Sequence, residues 1–532
     1  MKTKYLFLLS VLLISSCNSK SKISNDNIVQ LGQDAIMANE GFRRSYDFVE
    51  GWLKYADPVS GLIPKSLHEK YWNAQDAGAD NYPFMVLTSF FTDTTLFNGR
   101  MKDILSSEIK NCSRLGACPA SFNFKTQSFL EEKVDSSNVV FGSAEFMKDG
   151  LIPLTEWLGV SPWSDRMVSI LDDLKDMVSV VTEIKGNYYG NSQVIEVNGD
   201  LLQILSRLYW MTGNKSYLDW AIQIGNHYML ENRNPGDLDR LRLRDHGGEV
   251  VNGLCELYAT LHFTNKELKE KYKPGIYRML DRILEVGRNN DGFFYDEVNP
   301  RDGKILVETL ADTWGYILNG FYTVYMLDNH KPYRDAVLKV FSNIYPKYCN
   351  YDWENGSQDG YADAIESAIN LYNREPCPNA EKWIDSEIKE LFSRQRPDGI
   401  IEGWHGDGNF ARTSIMFSLW KTKGCYLKNW QRDVLLSAKK TETGAIVYLS
   451  SPRKWNGSLC FDRPRHKENM NLPIDWARIN QFPEWYVVEK DKKYDVSYKG
   501  RNYTFTGMEL QNGIPMDLEA SEKVFITIKE HK

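Results

Sequence analysis

In the stretch QDGYADAIESAINLYNREP, residues 358–376, Asp359, Asp363, Glu366 and Asn370 fall at i, i+4, i+7 and i+11. At 3.6 residues per turn that is one narrow polar stripe, with Ile365, Ile369 and Leu371 on the other flank. A helix of this kind is either an ordinary surface helix or the lining of a cavity. The design recurs along the chain as an acid followed nine positions later by an aromatic: Asp200 and Tyr209, Glu249 and Tyr258, Asp312 and Phe321, Asp363 and Tyr372. Weaker copies begin at Asp80 in AGADNYPFMVLTSF, Glu145 in GSAEFMKDGLIPL and Asn409 in DGNFARTSIMFSLW. The copies return roughly every 45 to 65 residues, separated by Asp-Gly turns such as DGFFYD and DGIIEGW. That period predicts helical hairpins, each burying its apolar face against neighbours. Six or seven hairpins close a ring, and the inner helices then aim their first turns at one central pocket. The expected architecture is mainly α, an (α/α)6 toroid or its seven-hairpin variant over residues 25–440. From about Thr441 the pattern changes to alternation in GAIVYLSS, KYDVSYKGRNYTFTG and KVFITIKEHK, which predicts a small antiparallel β domain over 441–532. The segment LPIDWARINQFPEW between those strands reads as a structural connector.

The opening MKTKYLFLLSVLLISSC has two lysines, an apolar run from Tyr5 to Ile14, small residues and a cysteine. It has the form of a secretory leader, is too short to span a bilayer, and ends like a bacterial lipobox. Residues 1–17 are therefore expected to be a lipoprotein signal, with cleavage before Cys17, lipid on that cysteine, and the protein held by its anchor at the bacterial cell envelope. Loss of Lys2 and Lys4 takes the formal charge from −7 to −9, which argues against nucleic acid as a partner. Of the seven later cysteines, Cys112 and Cys118 close a short loop and have the option of pairing, although buried free thiols are the commoner arrangement. No cysteine or histidine spacing matches a zinc site, no phosphate loop is present, and neither metal nor cofactor is assigned. Aromatics make up 13% of the chain, with 15 Trp and 29 Tyr, flat faces that suit sugar rings as well as a helical core.

Hydrolysis of a glycosidic bond needs two carboxyls, one held protonated and one ionised, on either side of the bond. Acids opening neighbouring inner helices supply them, with Glu249 and Asp363 the expected pair and Asp312, Asp359 and Asp200 the alternates. The competing explanation is that each acid merely caps its helix, where free N–H groups favour negative charge. Glu366 resists that explanation, since it lies deeper in its helix. In RLRLRDHGGEVVNG, Arg244 and His246 precede a Gly-Gly turn and Asn252 follows, so Arg244 has the shape to clamp a uronate carboxylate. Trp404, His405 and Arg412 in EGWHGDGNFART, and Trp72 and Asp80 in YWNAQDAGADNYPF, are candidate sugar contacts on loops. Proton abstraction beside a uronate is the alternative chemistry, with His246 or Tyr361 as base and Asn252 or Arg244 neutralising the carboxylate. A non-catalytic glycan-binding lipoprotein is the third reading.

The leader, the acid-led hairpins and the terminal β domain together resemble the six-hairpin glycosidase superfamily, which includes unsaturated glucuronyl hydrolases and β-L-arabinofuranosidases of glycan-degrading bacteria. The resemblance covers most of residues 30–532 as architecture. It implies a glycoside hydrolase acting on an oligosaccharide or polysaccharide, with a uronate-bearing glycan among the candidates. Toroidal polysaccharide lyases share the same plan, and no residue roles are carried over from either group.

Overall fold

A computed structural model describes residues 25–178 and 191–532. The leader with Cys17 lies outside the described residues, as do the side chains of Asp245 and His246. Helices alternate between an outer and an inner layer from the start. Outer α1 (Asn25–Leu53) precedes inner α2 (Tyr82–Thr92), and outer α3 (Arg100–Cys112) precedes inner α4, which runs through Ser136–Glu145, Phe146–Leu151 and Ile152–Leu158. The order continues with α5 (Pro162–Met177) and α6 (Asn191–Thr212), α7 (Lys215–Met229) and α8 (Glu249–Thr264), then α9 (Lys266–Val286) and α10 (Trp314–Asp328). It ends with α11 (Lys331–Asn343) and α12 (Gln358–Tyr372), then α13 (Pro378–Ser393) and α14 (Asn409–Thr422). Each inner helix packs on the next, and α14 returns to α2. Among the described residues the ring thus has seven hairpins, which settles the choice between six and seven.

Sequence composition explains the two layers. Outer α9 buries Lys269, Tyr272, Ile276, Met279, Leu280 and Ile283, one stripe at three- and four-residue spacing, and leaves its other faces charged. Inner α14 is buried along its whole length, and α8 is buried from Glu249 to Leu261, so polar residues on these helices face either each other or the central hollow. Glycine sets the closest approach. A Cβ on Gly199 would lie 2.3 Å from the backbone of Glu249 and Val250, and one on Gly253 would lie 2.6 Å from the Gly199 carbonyl oxygen. The α6–α8 crossing therefore brings Asp200 beside Glu249.

The C-terminal strands are β1 (Tyr426–Lys428), β2 (Leu435–Thr441), β3 (Gly444–Ser450), β4 (Trp455–Cys460), β5 (Lys493–Tyr498), β6 (Arg501–Thr506), β7 (Ile514–Leu518) and β8 (Lys523–Glu530). They form antiparallel sheets in the orders β2-β3-β8-β5-β6 and β7-β4-β1, so strand structure already begins before residue 441. Val447, Leu449, Trp455, Val496, Leu518 and Ile526 fill the space between them. The pair β2–β3 rests on α1, where Ser437 Oγ donates to the Leu31 carbonyl at 2.6 Å.

The connector between β4 and β5 is the part that matters to function. It crosses the C-terminal ends of the inner helices. Trp476 packs with Ala259 and donates from its indole to Glu256 at 3.1 Å, while its carbonyl accepts from Arg207 at 3.0 Å. Asn370 of α12 and Asn373 just after it donate to the carbonyls of Gln481 and Glu484, each at 3.2 Å. The ring is closed at this end and open at the end where its inner helices begin. Cys112 and Cys118 are both buried free thiols. Among the described residues no helix is long and apolar enough to cross a membrane.

Candidate active site

The hollow of the ring is a cavity of about 680 Å3, lined in part by the segment leading into α2, the starts of α8, α12 and α14, α4 and the loop before it, and Ile479 and Asn480 of the connector. Two π-helical segments shape it. Ala74–Asn81 leads into α2 and carries Asp76 and Asp80, and Phe146–Leu151 interrupts α4 and carries Lys148 and Asp149. Such bulges are frequent at functional sites because the wider turn re-aims side chains that a regular helix would turn away.

On one wall stands Lys148, fully buried, with its ammonium 2.7 Å from Glu249 Oε1, 2.8 Å from Asp149 Oδ2 and 3.5 Å from Asp200 Oδ1. Burial opposes its charge, but Asp149, Glu249, Glu145 and Asp200 outweigh burial and hold the ammonium well above its ordinary range. Gln203 donates to the other oxygen of Glu249. Glu249 therefore accepts on both oxygens, the arrangement of an ionised carboxylate.

On the neighbouring wall Arg412 donates to Asp363 Oδ1 at 2.6 Å and makes an ion pair with Glu366 at 2.7 Å. The Tyr316 hydroxyl, with one proton to give, lies between the two acids, 3.0 Å from Asp363 and 2.9 Å from Glu366. Burial, then the nearby Asp359, lift Asp363 to about 6 against the pull of Arg412. Burial lifts Glu366 to about 7, again against Arg412. Asp363 lines the cavity, whereas Glu366 sits behind it with no exposed surface. Asp359 also lines the cavity and accepts from Asn409 at 2.8 Å.

The rim is built by the loop from Gly403 to Gly408. A Cβ at Gly408 would lie 2.1 Å from the Asp80 carbonyl oxygen, so the loop can press against the start of α2 only with glycine there. His405 donates from Nδ1 to the Gly406 carbonyl at 2.9 Å and turns Nε2 toward Asp80, 3.5 Å away, and Asp76, 4.0 Å away. Burial pulls the imidazolium down, but Asp76, Asp80 and Asp407 together raise it to about 9. Asp80 itself is pushed well up by burial, against the attraction of His405. Asp76, Asp80 and His405 bring ligating atoms within 4.8 Å of one another, yet Lys65 stands 3.8 Å from Asp76, so positive charge already fills that cluster. Trp404, 78% exposed, lies over the Lys65 ammonium at 4.4 Å and presents its other surface to solvent at the mouth.

Of the residues singled out by sequence, Glu249, Asp359, Asp363, Asp80, Trp404, His405 and Arg412 line this cavity. The others do not. Asp312 is buried and accepts from the Thr313 N–H at 3.0 Å, and burial raises its carboxyl well above the usual range. Trp72 is a core residue set edge-on against Phe146, and Tyr361 lies under the Arg394 guanidinium at 4.2 Å. Asn252 is buried against α10, where a Cβ on Gly320 would come within 2.9 Å of its Oδ1. Arg244, expected to clamp a uronate, is paired with Asp296 at 3.6 Å and Glu354 at 3.1 Å. Of the set expected for elimination, Arg244, Asn252 and Tyr361 are not among the lining residues, and the side chain of His246 lies outside the described residues. Lys148, Asp149 and Asn480 are among the site residues that sequence reasoning passed over. The signal for the first two was a charged pair in the middle of the otherwise apolar helix EFMKDGLIPL.

No family model matches the chain, and no curated protein matches it. Among solved structures, the GH76A α-1,6-mannanase from Salegentibacter sp. HEL1_6 is similar over 58% of this chain and 94% of its own, with 14% identity and a TM-score of 0.41. A family 76 glycoside hydrolase from a bovine Bacteroides thetaiotaomicron strain covers 72% of this chain and 78% of its own, with 11% identity and a TM-score of 0.41. The cellobiose 2-epimerase from Bacillus thermoamylovorans B4167 covers 52% and 87%, with 14% identity and a TM-score of 0.38. Residue roles here rest on the cavity's own geometry rather than on these similarities.

Proposed function

We propose that this protein is a glycoside hydrolase in which Asp363 donates a proton to the leaving oxygen and Glu249 acts as the ionised carboxylate. The observation that carries this reading is that the two carboxyls share one hollow but have different surroundings. Asp363 is raised toward neutrality by burial, while Glu249 is held between an ammonium and an amide donor. Such a difference supports Asp363 as the acid and Glu249 as its partner. Trp404 at the mouth supplies an apolar face for a sugar ring.

The charge of the lining supports a neutral glycan over a uronate-bearing one. Eleven acidic residues line the cavity against Lys65, Arg114, Lys148, Arg242, Arg412 and the His405 imidazolium. A sugar carboxylate entering there would meet a lining in which acids outnumber cations. The test is a panel of neutral and uronate-bearing glycans, followed for new reducing ends and for the near-ultraviolet absorbance of unsaturated products. The expected result is reducing ends from a neutral glycan with no unsaturated product. Unsaturated ends would establish elimination instead, and binding without any product would establish a non-catalytic glycan-binding protein.

We also propose that the mature chain is anchored at the cell envelope through lipid on Cys17, on the strength of the leader alone. In a bacterial host the full chain should partition into the detergent phase and its Cys17→Ala variant into the aqueous phase. Equal partitioning of the two would remove the anchor.

A further inference from the structure

The two working walls of the cavity are joined by a residue from outside the ring. Asn480 lies on the connector, is 1% exposed, and has a left-handed backbone with φ of 62°, a conformation that asparagine tolerates better than most residues. Its Oδ1 accepts from Arg412 at 2.6 Å, and its Nδ2 donates to Asp149 Oδ1 at 3.1 Å and to the Asp149 carbonyl at 3.2 Å. Its backbone N–H donates to Glu366 Oε1 at 2.6 Å. With the ion pairs already described, an unbroken chain runs from Glu249 through Lys148, Asp149, Asn480 and Arg412 to Asp363. All six of these residues line the same hollow. The side chain suits the place chemically: an amide alone offers an acceptor to the guanidinium and a donor to the carboxylate in one rigid plane. The connector is anchored beside it, since Arg478 donates to the Lys148 carbonyl at 2.6 Å.

We propose that Asn480 is a positioning residue of the active site, through which the C-terminal connector fixes the two carboxyl walls in one frame. The inference rests on the assignment of Asp363 and Glu249 as the working carboxyls. It makes the β domain part of the catalytic unit rather than an appendage, because removing that connector would unseat Arg412 and Asp149 together.

Two variants test it. Asn480→Asp keeps the size and the acceptor for Arg412, but sets a negative charge against Asp149 and near Asp363. Asn480→Gly removes the side chain at a backbone angle that glycine adopts freely. Both should lower kcat about tenfold or more, with KM within about threefold of wild type, because the reacting groups are displaced while sugar contacts stay in place. Asn480→Asp should also move the upper limb of the kcat/KM profile to higher pH, which a purely structural defect would not do. Wild-type kcat and an unshifted profile in folded variants would overturn the proposal, and if Asn480→Asp does not fold, the kcat of Asn480→Gly decides. The titration of Asp363, followed by carbon NMR in wild type and Asn480→Asp, separates this inference from the functional reading. An upward shift in a protein that hydrolyses no glycan would refute the hydrolase and keep the coupling. No shift in an active enzyme would do the reverse.

Discussion

Asp363→Asn is expected to lower kcat on the accepted glycan by about 10^3-fold while leaving the fold intact, since a positioned general acid contributes on the order of 10^2 to 10^4 in rate. The amide keeps an oxygen where Arg412 and Tyr316 now donate, so the wall should hold its shape. What is lost is the proton. A glycoside whose leaving group is an acidic phenol needs no protonation, and on it the variant should lose less than about tenfold. That contrast separates a proton donor from a residue that merely binds sugar. The pH profile gives a second reading. With Asp363 lifted to about 6, the protonated form is lost as pH rises through that value, so kcat/KM should fall above about pH 6 in the wild-type enzyme. A variant that retains full activity on the natural glycan would remove Asp363 from catalysis.

The repeat of acid and aromatic at nine residues made the ring legible from sequence, because it records a physical requirement: each inner helix must present a polar first turn to the hollow and an apolar body to its neighbours. Glu249 and Asp363 were found by that rule, and both line the cavity. The same rule fails for Asp312, which opens α10 in the same register but sits behind the surface of the hollow with its carboxyl turned to the Thr313 N–H. Periodicity says which face of a helix is polar, not how far the helix stands from the centre. Arg244 was read as a clamp because it is a long cation beside a Gly-Gly turn. Its partners Asp296 and Glu354 come from a short strand and a 3-10 turn, 52 and 110 residues further along, and only the fold brings them together. Lys148 and Asp149 were hidden by the π-helical segment, which breaks the 3.6-residue period that would have placed them. Asn480 lies in a segment whose prolines and aromatics suggested a connector, and it is one. Nothing in its sequence shows that the connector reaches the floor of the ring.

The electrostatic cost of this arrangement explains why its parts are so heavily paired. A charged lysine with no exposed surface is sustained only by several carboxylates at short range, and an arginine equally buried is sustained by Asp363 and Glu366. Burying such groups contributes little to stability, so the sequence gains chiefly fixed orientation. In a hydrolase fixed orientation is the useful quantity, since donors and acceptors already in place need not reorganise when charge develops on the sugar.

Glu249→Gln follows from the other wall and should cost about 10^2- to 10^4-fold in kcat, with a signature opposite to that of Asp363→Asn. A carboxylate that attacks the sugar or activates water is needed whatever the leaving group, so activity on the natural glycan and on the activated phenyl glycoside should fall together. The substituted amide is isosteric, and Lys148 keeps Asp149 and Asp200 as partners, so the ring should remain folded, as circular dichroism and thermal melting would show. Added azide or formate, small anions able to enter the space left by a missing nucleophile or base, should restore part of the rate on the activated substrate. If the variant instead works normally on the activated glycoside and fails only on the natural one, Glu249 is the proton donor and the two roles must be exchanged. If it works normally on both, the carboxylate held by Lys148 is a structural counter-ion, and the partner of Asp363 must be sought in Asp359, which shares the hollow and acts on Asp363 electrostatically.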